Sequence, residues 1–332
     1  MRLSTVCSVL AACSTALATP LFKRETLNAS NSSSIAWNTS NHSNATAGPD
    51  SEIGTKLKVF VTGGDVSLLP SNSSTFETEV LFNSSMALNV TQLYDVASQV
   101  NETLQDDTYH GVVIVSNSRS VESLGFFSTV VFETNKTVVV SEDATSAVQV
   151  AMDYESQYRG ALTVAKKGGV IYSGLFAPVG PRSNGIPVGI LSNDEVVWFF
   201  EAASPLLVAP DSALRTNYSF TETNITTSPV VPIVYDGDYS QDLVDSLSGS
   251  IDGLVVAVSG YATNSSSSTL ASSDVPIVYA AASSDLAYVS TEDVPEGAIA
   301  AGYLSPVKAQ LLVSIAVANQ VTDPESISSL FP

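Results

Sequence analysis

The chain has 332 residues, 44% of them hydrophobic and 14% charged, which is too apolar for a disordered polymer and enough for two domains of about 100–200 residues each. Asp and Glu total 33 against 13 Lys and Arg, a formal charge of −20. Such a chain repels phosphate backbones instead of releasing their counterions, so nucleic acid and anionic membrane surfaces are excluded as partners.

Arg2 precedes an apolar run from Leu3 to Leu17 that ends in Ala16-Leu17-Ala18, the pattern of a secretory signal peptide over residues 1–18. Lys23-Arg24 then offers a dibasic site for a second processing cut, within a propeptide. Both cysteines, Cys7 and Cys13, leave with the signal. The exported product is therefore expected to carry no disulfide, thiolate nucleophile or cysteine metal site. No later apolar stretch reaches the roughly 18 residues of a membrane span, and the closing Ser-Leu-Phe-Pro lacks the tail of a lipid-anchor signal. A soluble, secreted protein of the extracellular space or cell wall is expected.

Residues 19–55 are rich in Ser, Asn, Thr and Ala, with sequons at Asn28, Asn31, Asn38, Asn41 and Asn44. A segment of this composition cannot bury a core and is expected to be a glycosylated, disordered leader. Further sequons at Asn72, Asn83, Asn89, Asn101, Asn135, Asn217, Asn224 and Asn264 mark loops and exposed helix faces.

From Lys56 onward short apolar runs alternate with amphipathic stretches, the pattern of a mostly parallel sheet covered by helices. Strands are expected at 57–61, 111–115, 137–141, 161–164 and 170–173, with Lys167-Gly168-Gly169 as a tight hairpin turn between the last two. Helical spacing of apolar residues predicts helices at 91–104, 120–129 and 145–154. A Pro- and Thr-rich passage, 209–231, reads as an interdomain linker. Beyond it come a strand at 233–235, a helix at 240–247, strands at 254–258 and 276–280, and a long helix at 306–320. Thr322-Asp323-Pro324-Glu325 starts a last helix, with a cap, an early proline and an early acid.

The chain has two histidines, His42 in the leader and His110 before a strand, so imidazole-based catalysis or metal binding would rest on His110 alone. A loop residue is the expected role of His110. Thr62-Gly63-Gly64-Asp65, directly after the first strand, is more informative: glycines there allow a tight turn whose N–H groups face a ligand at the carboxyl end of the sheet.

Set beside the stretch from Asp107 to Ile114, the hairpin from Val164 to Ser173 and Gly302-Tyr303-Leu304-Ser305-Pro306-Val307-Lys308-Ala309, that turn carries a resemblance. Over nearly all of residues 56–332 the chain resembles the secreted (type II) L-asparaginase, or L-asparagine amidohydrolase, family, as a divergent, fungal-like member. The resemblance implies an asparaginase-like α/β fold. A larger N-terminal α/β domain, 56–208, would be joined by the linker to a smaller flavodoxin-like C-terminal domain, 232–332.

It also implies catalytic and binding positions, and most are substituted. In the family a threonine after Thr-Gly-Gly attacks the side-chain amide; here that position is Asp65. The family's His-Gly-Thr-Asp-Thr supplies a threonine and an aspartate to a proton-handling triad, and the matching segment places Ser118 and Arg119 there. The triad lysine should follow the strand at 170–173, but 174–181 holds none, and Lys166 and Lys167 belong to the turn on the other side. Thr62, with Ser84 or Ser85, aligns with substrate-binding positions. An ion pair between Asp65 and Arg119 that fills the old site is expected.

Residues acting as a unit fail together, with the loss of several powers of ten in rate. The leading expectation is therefore a secreted glycoprotein of the asparaginase family with an inactive, degenerate site that takes an amino-acid-like small molecule, without metal or cofactor. Two alternatives remain open: a working amidohydrolase that uses Ser118 as nucleophile and Asp65 as base, hydrolysing L-asparagine to L-aspartate and ammonia, and an extracellular structural glycoprotein. The family assembles as tetramers. With sequons at Asn135, Asn217 and Asn264, a homodimer or monomer is expected here instead.

Overall fold

Two sheets carry the fold, each built from runs of β-branched residues that pack on both faces. The chain is described from a computed structural model, which covers residues 56–64, 74–166, 168–178, 185–220, 225, 227–259, 269–272, 274–283 and 286–332. The expected signal, propeptide and leader, His42, Asp65, Lys167 and the sequons at Asn72, Asn224 and Asn264 lie outside the described residues.

The first sheet contains β1 (Lys56–Val61), β2 (Phe76–Val80), β3 (Tyr109–Val115), β4 (Thr137–Ser141), β5 (Ala161–Val164), β6 (Val170–Ser173), β7 (Pro187–Ser192) and β8 (Glu195–Trp198), in the order β2-β1-β3-β4-β5-β6-β7-β8. The first five are parallel, and β6 to β8 continue antiparallel. Alternate residues of the parallel strands serve opposite cores. Phe60, Val112, Ile114, Val138 and Val140 face the helices α1 (Val90–Gln105) and α2 (Val121–Val131), whereas Leu57, Val59, Val113, Val115 and Val139 face α3 (Ala144–Met152).

Three of these strands were not expected from the sequence. In β2, Phe-Glu-Thr-Glu-Val, only Phe76 is buried, because β2 is an edge strand whose Glu77 and Glu79 both pair with Lys58 of β1, at 2.8 and 2.9 Å. Charges on an edge also deter pairing with other chains. The β7–β8 hairpin is short and half-buried. Its two-residue turn, Asn193-Asp194, has φ of 51° and 65°, the conformation that matches strand twist.

The second sheet is all parallel: β9 (Ile233–Tyr235), β10 (Leu254–Val258), β11 (Ile277–Ala281) and β12 (Ile299–Ala300), in the order β12-β11-β10-β9. The flavodoxin-type order 2-1-3-4-5 thus occurs in the first sheet, and the second runs without reversal. The described residues of 209–231 pack against the rest of the chain. They include α4 (Ala213–Thr216), bury Leu214, Phe220 and Val231, and send the Arg215 guanidinium to the carbonyls of Thr129, Val130 and Phe132 at the end of α2. The second half adds α5 (Gln241–Leu247), α6 (Pro306–Ala318) and α7 (Pro324–Ser328), the last capped by Asp323 through Glu325 and Ser326 N–H.

Helix α6 holds the two sheets together. It is apolar nearly all round, because Leu311, Leu312, Val313, Ile315 and Ala316 pack in one continuous core that includes β10 and β11 on one side and α1 and α2 on the other. At its far end Asn319 donates to the Tyr94 hydroxyl of α1 at 3.0 Å. Burial pushes that phenol up to about 12. At its start, Ser305 accepts from Lys308 N–H and donates to Glu122 of α2 at 2.7 Å. The Lys308 ammonium donates to the Ala177 carbonyl at 2.6 Å and lies 3.7 Å from Glu122, an ion pair too long for a hydrogen bond. Both side chains are buried, Lys308 at 6% and Glu122 at 8% exposure.

Burial raises Glu122 above its ordinary 4.5, against the pull of Lys308 and Ser305, and lowers Lys308 below 10.5, against Glu122. Desolvation therefore outweighs attraction for both partners, as is usual for buried pairs. A raised carboxyl favours the fold below its ordinary range and loses that contribution as pH rises; a depressed amine favours the fold above 10.5 and loses it as pH falls. Lys308→Met leaves Glu122 buried without its cation and is expected to cost about 3–5 kcal/mol at pH 7. Because Glu122 can take a proton, the deficit should shrink toward pH 4, and adding Glu122→Gln should recover most of it. Urea unfolding at pH 4 and pH 7 checks this; a deficit independent of pH would contradict it.

Candidate functional site

In an open α/β sheet, ligands settle outside the carboxyl ends of the strands where the strand order reverses. In the first sheet that point lies between β1 and β3. Thr62-Gly63-Gly64 follows β1, Ser84 and Ser85 follow β2, and Ser116 to Ser120 follow β3.

The three segments are stitched together. Thr62 is buried, and its N–H and hydroxyl both donate to the Val115 carbonyl, at 2.8 and 3.2 Å. Ser84 N–H donates to the Thr62 carbonyl at 3.2 Å. Gly64 has φ of 82°, and a Cβ there would strike the Ser116 carbonyl oxygen, so a side chain is excluded both by conformation and by space. A Cβ on Gly63 would likewise meet the Ser84 carbonyl oxygen.

Asn117 bridges the segments that follow β2 and β3. Its side-chain amide donates to the Ser84 and Met86 carbonyls at 2.8 and 3.0 Å, and its oxygen accepts from Arg119 N–H at 2.9 Å. The Ser84 hydroxyl donates to the Met86 carbonyl at 3.0 Å and accepts from Met86 N–H at 3.1 Å. Ser120, buried at the start of α2, accepts from Leu88 N–H at 3.1 Å. The Arg119 guanidinium reaches the Met86 sulfur at 2.9 Å.

Of the sequence-derived positions, the structure brings Thr62, Ser84, Ser118 and Arg119 to the ends of neighbouring strands. Ser85, Ser118 and Arg119 are exposed there. Asp65, and with it the ion pair expected with Arg119, lies outside the described residues. Among the described residues no carboxylate or imidazole hydrogen-bonds to the hydroxyl of Thr62, Ser84 or Ser118. A hydroxyl becomes a nucleophile only when a base within about 2.6–3.2 Å takes its proton; Thr62 and Ser84 give theirs to backbone carbonyls.

His110 is half-buried on β3, with Nε2 2.7 Å from the Ala151 carbonyl. Burial, with Lys136 nearby, lowers its affinity for a proton. It holds α3 against the sheet, away from the crevice.

Sequence reasoning missed Asn117, which organises the crevice, and the pair Glu122 and Lys308. Glu122 lies two residues beyond Ser120, so the pair anchors the first turn of the helix that follows Ser118 and Arg119. Lys308 reaches the Ala177 carbonyl in the stretch after β6 where a lysine was sought. Charged residues in otherwise apolar helices were the available signal.

No protein-family model matches the chain. Over 360 aligned positions, covering 100% of both proteins, the chain is 44% identical to Protein YGP1 of Saccharomyces cerevisiae. It is 40% identical to the Sporulation-specific wall maturation protein of the same yeast, over 100% of this chain and 99% of that one. Over 264 positions, 70% of each chain, it is 23% identical to the yeast L-asparaginase 2-3. A chain that matches the first two end to end at this identity belongs to the family of Protein YGP1 and the Sporulation-specific wall maturation protein, with a more distant relation to the L-asparaginases.

Proposed function

We propose that the chain is a secreted, glycosylated wall protein that keeps an asparaginase-like framework without amidohydrolase chemistry. In this reading residues 56–208 and 232–332 are a larger and a smaller asparaginase-like domain, each with its own sheet, joined by 209–231. The observation that carries it is the stitching of the β1–β3 crevice. Its inward hydroxyls are committed to backbone carbonyls, Asn117 uses its amide to bind the walls to each other, and the position of a proton-handling aspartate is a guanidinium laid on Met86. A cation there cannot accept the proton that acyl transfer must move. Support for the wall comes from the printed name of one relative, and among the described residues no helix is long and apolar enough to cross a membrane.

The purified mature chain is expected to release no ammonia from L-asparagine or L-glutamine above background. A turnover of about 1–1000 per second would contradict the proposal and favour the rival in which Ser118 attacks; Ser118→Ala and Asp65→Asn would then show which residue carries the activity.

Glycosylation draws support from exposure: Asn83, Asn89, Asn135 and Asn217 are exposed sequon asparagines, whereas Asn101 is half-buried. Endoglycosidase treatment of the secreted protein should lower its mass, and Asn→Gln at each exposed position should remove one glycan step on a gel. An unshifted band for all four variants would refute this part.

A further inference from the structure

Along α1, Asn101, Leu104 and Gln105 fall on one face, beside the buried stripe that includes Val96, Val100 and Thr103. That face borders a groove of about 370 Å³, whose other walls are residues 131–134 at the end of α2, Arg215, and residues 218–220. Phe220 is buried there, and the half-buried Tyr218 ring lies parallel to it, with centroids 5.7 Å apart. The groove thus has an aromatic wall among polar ones.

Asn101 heads the sequon Asn101-Glu102-Thr103. It is half-buried, yet its side-chain amide makes no hydrogen bond to the described residues and is not shut off from solvent. An asparagine of the chain's own sequence therefore presents an uncommitted amide at the edge of a groove. Arg215 does not make this an anion site. Its guanidinium already serves three carbonyls at the carboxyl end of α2, where the helix balances its charge, and Glu133 lines the same groove.

We infer, on the glycosylation proposed above, that Asn101 carries an N-linked glycan and that this groove seats its first sugar. In the modification Asn101 Nδ2 bonds to C1 of an N-acetylhexosamine; the amide loses one proton, and the bond from C1 to a lipid-diphosphate carrier breaks, its electron pair leaving on the diphosphate. The transfer precedes the folding of α1, because in the folded helix Thr103, which completes the sequon, is 7% exposed and its hydroxyl donates to the Gln99 carbonyl at 3.0 Å. The volume lies near the lower end of the roughly 300–1,000 Å³ of small-molecule sites, room for one pyranose while the rest of the glycan stays in solvent. A pyranose, with an apolar C–H face and a polar rim, suits stacked rings beside the polar groups of Gln105 and Thr134. A free sugar gains little from one such wall against its lost translation and rotation, whereas a ring bonded to Asn101 is already held at the groove.

Site-by-site mass spectrometry of the full secreted chain tests this, with peptide-N-glycosidase added to the native protein in heavy-oxygen water so that each released asparagine becomes a labelled aspartate. Asn101 is expected to be occupied, and its glycan to leave about fivefold to tenfold more slowly than those at the exposed Asn135 and Asn217. In urea the three rates should converge. Tyr218→Ala, which keeps every sequon, should leave Asn101 occupied and bring its native release rate to that of Asn135. A bare Asn101 beside occupied Asn135 and Asn217 would overturn this inference and leave the wider glycosylation standing; glycans at no site would overturn both. Native release from Asn101 as fast as from Asn135, or slow release unaltered by Tyr218→Ala, would refute the seat.

Discussion

The buried link from Lys308 and Ser305 to Glu122 ties the halves of this chain together, and much else depends on it. Lys308 and Ser305 belong to the start of α6, which packs on the second sheet; Glu122 belongs to the first turn of α2, which packs on the first. Two charges removed from water at this depth are a cost, repaid only in part by attraction. The arrangement persists because every partner is used: Lys308 also holds the Ala177 carbonyl, and Ser305 caps α6 while it holds Glu122. Removal of one member would strand the others.

The same link reaches the crevice. The start of α2 follows directly on Ser116 to Ser120, so whatever fixes α2 fixes the loop that meets Thr62 and Ser84. Around that loop the hydrogen bonds run wall to wall, from Asn117 to the carbonyls after β2 and from Thr62 to the end of β3. A catalytic crevice keeps donors and acceptors directed at a substrate. Here Thr62, Ser84 and Asn117 direct theirs at the protein. On the proposed function, the fold retains the ligand position at its topological switch point while these three side chains serve the structure.

The parallel strands were legible in the sequence because burial on both faces leaves continuous β-branched runs: Thr137–Ser141, Ala161–Val164 and Leu254–Val258 lie where expected. The start of the last helix was legible through its cap and early proline, at Asp323 and Pro324. Strand β2 and the β7–β8 hairpin were not, since an edge strand carries charge and a half-buried hairpin lacks a clear apolar period. The turn after β1 could be singled out because only glycine fits at Gly64. The partners of that turn could not, because the role of Asn117 follows from which carbonyls the fold brings beside it, over sequence separations of more than 30 residues. The Glu122–Lys308 pair spans most of the chain, and no local pattern records it.

The most direct test of the central claim, that the β1–β3 crevice is closed to its ancestral ligand class, is a high-resolution crystal structure of the secreted chain soaked in L-aspartate. The account expects the Asn117 amide on the Ser84 and Met86 carbonyls, Arg119 against Met86, and no aspartate between the ends of β1 and β3. Aspartate bound there, with its side-chain carboxylate beside the Ser118 hydroxyl and the Asn117 bonds broken, would contradict it.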